Sequence, residues 1–106
     1  MIFRGYRAEG ETFVTVSYAN GRVGEELDPA YDHYIHTSDD FDWGVNSRGA
    51  HQLALAIAVE MGLGDAEQAE LLHRIIVKLP NQKWQLTGAQ ILSVYTDCPY
   101  DGASSY

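Results

Sequence analysis

The sequence predicts an α+β domain: an N-terminal antiparallel sheet of three to four short strands, followed by about three helices packed on one face. Two changes of pattern along the chain lead there. Residues 2–18 are rich in aromatic and β-branched side chains broken by turn residues, whereas from residue 50 the apolar positions recur with helical period. Strands first and helices afterwards is the order of a segregated α+β fold. A chain of 106 residues with 45% apolar composition suits one domain with a modest core. We place that domain at residues 1–98 and expect a mobile C-terminal tail at 99–106.

The strands come first. "IFRGYRA" and "TFVTVSY" flank the turn-forming "EGE". In the second run Val14, Val16 and Tyr18 share one face, and Phe13, Thr15 and Ser17 the other. Asn20-Gly21 is the strongest hairpin signal, because a type I′ turn needs positive φ at both central residues. It should return the chain to a short third segment within residues 22–27, ended by a turn at Asp28-Pro29. "AYDHYIH", with Tyr31, His33 and Ile35 on one face, and "FDWGV" are candidates for a fourth strand.

The helices follow. Residues 50–61 are alanine-rich and apolar on nearly every side, which marks a central helix buried against both sheet and helices. Asn46 or Ser47 should cap it, and Gly62 followed by Leu63 should end it. Asp65 with Gln68 reads as the cap of a second helix, whose stripe is Ala69, Leu72, Ile75, Ile76 and Leu79 and whose stop is Pro80. "WQL" is short and extended. Thr87 with Gln90 forms a capping-box pattern opening a third helix over residues 89–95, ended at Cys98-Pro99. Trp43 and Trp84, each beside a helix boundary, are expected in the core.

Charge is the least uniform property. The net charge is −8, and residues 23–45 hold seven acids (Glu25, Glu26, Asp28, Asp32, Asp39, Asp40 and Asp42) with no Lys or Arg, so this window alone carries −7. Such a field repels phosphates and favours basic partners, so direct duplex DNA binding is not expected. Tyr31 and Tyr34 stand among these acids and supply contact area suited to a protein interface. One cysteine permits no intrachain disulfide, and no apolar run reaches the ~18–20 residues that span a bilayer. "MIFRGYRAEG" lacks an apolar signal-peptide core, so a cytoplasmic protein without membrane attachment is expected.

Catalytic spacings are absent: there is no G-x-S-x-G, phosphate-binding loop, H-E-x-x-H or C-x-x-C. Cys98 near a helix C-terminus is poorly placed to form a thiolate. No cofactor is expected. The alternative to a binding protein is a metal site, or a small metal-dependent enzyme, built from His33 and His36 with Asp32, Asp39 and Asp40. Those residues alternate along an extended chain, so only a loop would make them converge. His51 is positioned to help neutralise the acidic loop, and His73 reads as a helix-surface residue.

The motifs "YR" (Tyr6-Arg7), "LDP" (27–29), "FDWG" (41–44), "GAHQLALAI" (49–57), "KLP" (78–80) and "WQLT" (84–87) occur in that order over most of the chain. In this combination the chain resembles a small domain-of-unknown-function family found in scattered bacterial, archaeal and phage or plasmid proteins. It departs from that pattern at "NSRGA", where the family has a more Gly- and Pro-rich helix entry. The family has no established activity, so the resemblance transfers no site residues. It implies a mobile-element setting, in which a small acidic protein acts as an accessory factor that binds and inhibits a basic host protein or nucleoprotein complex. By class, though not by residue, this is the behaviour of anti-CRISPR and other anti-defence inhibitors, some of which mimic nucleic acid charge. The expected site is Glu25, Glu26, Asp28, Tyr31, Asp32, Tyr34, Asp39, Asp40 and Asp42, on a monomer or homodimer. A purely structural homo-oligomer is the second alternative.

Overall fold

The structure is a computed structural model that describes residues 1–18, 24–37 and 40–96. The Asn20-Gly21 turn, Asp39, the Cys98-Pro99 helix stop and the tail lie outside the described residues.

Among the described residues, four strands, three α-helices and one 3-10 turn follow in the order β1 (Ile2–Ala8), β2 (Glu11–Ser17), β3 (Glu25–Glu26), α1 (Arg48–Met61), α2 (Asp65–Arg74), the 3-10 turn Ile76–Lys78, β4 (Lys83–Thr87) and α3 (Gly88–Thr96). The sheet order is β3-β2-β1-β4, and every pairing is antiparallel. The expected α+β class is therefore the observed one. β1 and β2 join through Glu9 and Gly10, both at positive φ (52° and 80°), which gives the two-residue turn a twist matching its strands.

The fourth strand is not taken from the segments first considered for it. "AYDHYIH" and "FDWGV" form no strand, and "KWQLT" joins the sheet beside β1 instead. The reason lies in the backbone between β3 and α1. Asp28 Oδ1 accepts from the Ala30 N–H at 2.8 Å, and Ala30 stands at φ 62°, so the chain turns sharply where a strand would run straight.

Helix boundaries follow local chemistry. Ser47 caps α1, its Oγ accepting from the Ala50 N–H at 3.3 Å. Gly62 (φ 71°) closes the helix: its N–H donates to Val59 O, and the Leu63 N–H donates to Ala58 O. The α3 capping box is reciprocal, with Thr87 N–H to Gln90 Oε1 at 2.8 Å and Gln90 N–H to Thr87 Oγ1 at 3.0 Å. The cap of α2 lies one residue earlier than expected, because Glu67 Oε1 accepts from the Gly64 N–H at 3.0 Å and Asp65 is already helical. That helix ends at Arg74 and tightens into the 3-10 turn before Pro80. Its buried face also differs, with Leu71 fully buried and Ala69 exposed.

The core lies between the sheet and α1. Phe3, Val14, Val16 and Trp84 of the sheet meet Leu53, Ala54 and Ile57 of α1, with Leu71, Ile76 and Ile91 closing the far side. Each large apolar side chain buried here contributes roughly 1.5–3 kcal/mol. Trp43 and Trp84 meet edge to face, with ring centroids 5.5 Å apart, and both are buried as expected. Gly5, opposite Trp84 in the ladder, makes room for that ring: a Cβ there would stand 2.4 Å from Trp84 Cε2. The opposite sheet face, which carries Arg4, Tyr6, Phe13, Lys83 and Gln85, is covered by none of the described helices.

Gly5→Ala drives a methyl group into the Trp84 indole. We expect a loss of about 1–3 kcal/mol in urea-unfolding stability, typical of overpacking, together with a changed tryptophan emission spectrum.

Candidate functional site

The acidic and aromatic residues singled out above lie mostly on the irregular segment between β3 and α1. One side chain organises that segment. Gln52, on the first half of α1, is fully buried. Its Oε1 accepts from the N–H groups of His36 (2.6 Å) and Thr37 (3.2 Å). Its Nε2 donates to the carbonyls of Pro29 (2.6 Å) and Tyr34 (3.1 Å). All four hydrogen-bonding positions of the amide are used, so a stretch without regular structure is pinned at both ends to the core helix. Sequence reasoning missed Gln52. The signal was its polar amide at a helical position surrounded by Leu and Ala.

A second node secures the entry to α1. Arg7 Nη2 meets Asp42 Oδ1 at 2.8 Å, and Arg7 Nε donates to Asn81 O at 2.7 Å. The guanidinium lies 4.5 Å from the Trp43 ring centroid. Asp42 Oδ1 also accepts from the Trp43 N–H at 2.8 Å, and Oδ2 accepts from the Ser47 hydroxyl at 3.1 Å. Gly49 lies against this loop, where a Cβ would stand 2.8 Å from Asp42 Cβ and 2.9 Å from Asp40 O. Asp42, counted above among the expected partner-binding acids, has a role in the fold: its carboxylate holds the loop to β1 and to the α1 cap. Partial burial is the largest influence on that carboxyl and opposes its charge. The hydrogen bonds from Arg7, Trp43 and Ser47, with the Arg7 charge, outweigh it and hold Asp42 below the usual carboxylate range.

The remaining acids separate into two groups. Glu26 and Asp40 line a groove beside β2 with Tyr6, Phe13, Tyr31 and Phe41. Asp28 and Asp32 line a different recess with His33 and Glu60. Glu25 is exposed on β3, paired with Val16, and Tyr34 is 62% exposed. Among the described residues, the ion pairs found are Arg7–Asp42 and Arg74–Glu70, and neither uses Glu25, Glu26, Asp28, Asp32 or Asp40. Tyr18 donates its hydroxyl to Glu60, and that bond, chiefly, pushes its phenol up to about 12.

His33 and His36 do not share a site. His33 faces the Asp28 and Asp32 recess, whereas the His36 ring packs on Tyr34 (4.6 Å) and on His51 (5.4 Å). His51 in turn bonds Asn46 Oδ1 through Nε2 at 2.8 Å, and among the described residues no ion pair joins it to a carboxylate of the acidic segment, where a neutralising role was expected. Desolvation first, and then the neighbouring His51, lowers the His36 pKa. Among the described residues no group of three or more His, Cys, Asp or Glu side chains is placed to hold a metal ion. Nor is any helix among them long and apolar enough to cross a membrane.

These features define a small α+β domain whose irregular β3–α1 segment presents exposed tyrosines and, at Asp28, Asp32 and Asp40, acids without an ion-pair partner among the described residues. The chain belongs to a family of unknown function, DUF6166, whose family model matches residues 3–97. No curated protein and no solved structure matches it.

Two outcomes follow from these nodes. Gln52→Leu leaves two part-buried N–H groups and two carbonyl groups without their Gln52 partner. We expect it to cost about 2–4 kcal/mol in chemical denaturation and to speed amide exchange at His36 and Thr37. Asp42→Asn should cost about 1–2 kcal/mol at neutral pH, the lower end of the charged hydrogen-bond range because a third of the side chain (33%) is exposed. A carboxyl depressed in the folded state contributes fully above its unfolded value of about 3.9 and ceases to contribute as pH falls through its folded value. The variant's stability should therefore decline less steeply than wild type below about pH 4.

Proposed function

We propose that this is a small acidic, non-enzymatic binding protein that engages a positively charged protein surface through the segment between β3 and α1. The observation that carries this reading is that Glu25, Glu26, Asp28, Asp32 and Asp40 are exposed without a Lys or Arg partner among the described residues, beside exposed Tyr31 and Tyr34. Carboxylates left in water give long-range steering toward cations, and tyrosines give contact area at low entropic cost. The Gln52 clamp supports the same reading, because a segment already ordered loses less entropy when a partner binds.

The partner class is a basic host protein or nucleoprotein complex in the cytoplasm. The working role is that of a phage or mobile-element accessory factor, anti-defence in type, whose acidic face competes with nucleic acid for a basic channel. Net charge −8 and the resemblance to proteins of phages and plasmids support that role.

The test is affinity capture from host lysate followed by partner identification. Wild type is compared with a variant carrying Gln or Asn at Glu25, Glu26, Asp28, Asp32 and Asp40, while Asp42 is left in place because it supports the fold. Five exposed charges worth roughly 0.3 kcal/mol each predict an affinity loss of about tenfold, and wild-type binding should weaken between low and physiological salt. Equal recovery of the same partner by both proteins rejects the acidic-face mechanism.

A further inference from the structure

The acidic segment does not present one uniform surface. The recess around Asp28, Asp32 and Glu60 is lined, among the described residues, by carboxylates, His33 and small aliphatic side chains, with the Tyr18 hydroxyl donating to Glu60. The groove beside β2 combines carboxylates with rings. Tyr6 and Phe13, cross-strand partners on the uncovered sheet face, stack at 5.1 Å with their planes 19° apart. Among the described residues β3 pairs with β2 at Thr15 and Val16, and Tyr31 and Phe41 of the loops line the groove with Phe13. Thr12 helps hold that far wall, its hydroxyl donating to Phe41 O at 2.5 Å. Glu26 and Asp40 are exposed on the groove and no cation among the described residues pairs with them.

Size and chemistry narrow what this groove suits. Its volume of ≈ 280 Å³ is below the range of about 300–1,000 Å³ usual for whole small-molecule ligands, so one or two inserted side chains suit it better. Flat rings beside carboxylates match a planar cation that stacks on one surface while donating in its own plane. Arginine does both. Lysine, a strongly hydrated point charge, gains less from the rings. We infer that the groove formed by Tyr6, Phe13, Tyr31 and Phe41, with Glu26 and Asp40 on its rim, is a docking site for an arginine side chain on a basic segment of a protein partner. This rests on the acidic-binding reading above and narrows it to one site and one residue type.

The experiment is an amide-resonance titration of the full chain with a hexa-arginine peptide and, separately, a hexa-lysine peptide at matched ionic strength. The arginine peptide should bind roughly threefold to tenfold more tightly, with the largest shifts at Tyr6, Phe13, Tyr31 and Phe41. The double variant E26Q/D40N should weaken arginine-peptide binding by a similar factor. The double variant D28N/D32N should weaken it less. Tyr31→Ala keeps every charge and alters an exposed side chain, so it should reduce the arginine preference while the dispersion of core resonances stays unchanged. Equal binding of the two peptides, or shifts centred on Asp28 and Asp32, overturns the arginine groove while leaving a general acidic surface intact. Absence of binding by either peptide overturns the groove and counts against the acidic-surface reading as well.

Discussion

The carboxylate of Asp42 is the constraint on which the join between sheet and helices depends. It receives Arg7 from β1, the backbone N–H of Trp43 and the hydroxyl of Ser47, and Ser47 in turn caps α1. One side chain therefore sets the position of the central helix relative to the sheet and the angle at which Trp43 enters the core. Trp43 then uses its indole N–H on Asn81 O at 3.1 Å, and Arg7 reaches the same carbonyl, so the residues leading into β4 join the node as well. The arrangement is partly buried and each partner is charged or polar, which makes the removal of any one member more costly than its own bond suggests.

A related economy holds the functional candidate. Residues 27–37 have few backbone bonds of their own, and an irregular segment of this kind is ordinarily mobile. Gln52 replaces the missing ladder with four hydrogen bonds from one buried amide. The exposed side chains of this segment are thereby carried on a backbone fixed from beneath. An interface built this way presents charge and aromatic area outward while its polar backbone stays satisfied, which is the arrangement a preordered binding surface requires.

The charge distribution adds direction to that surface. Arg4 and Lys83 lie on the β1–β4 half of the uncovered sheet face, with Arg4 Nε bonded to Gln85 Oε1 at 3.1 Å. Glu26 lies on the β2–β3 half. The face is therefore graded from basic to acidic across the four strands, and an approaching cation is drawn to the acidic side, where the aromatic groove lies.

Features governed by neighbouring residues are legible along the chain. The Ser47 cap, the Gly62 stop, the Thr87–Gln90 box, the change from strand to helix and the burial of both tryptophans each follow from a local pattern, and each is found. The acidic window was equally legible, because net charge needs no geometry. Three-dimensional packing, and nothing local, makes "KWQLT" and not "AYDHYIH" complete the sheet, since a five-residue strand chooses its neighbour by what remains unpaired across the fold. It alone paired Arg7 with Asp42 across 35 positions and bonded Gln52 to carbonyls as far as 23 positions away. It also divided one acidic run between a groove lined by rings and a separate recess. These contacts have no periodic trace in the chain, because a hydrogen bond to a loop carbonyl depends on where the backbone passes and not on which residue carries it.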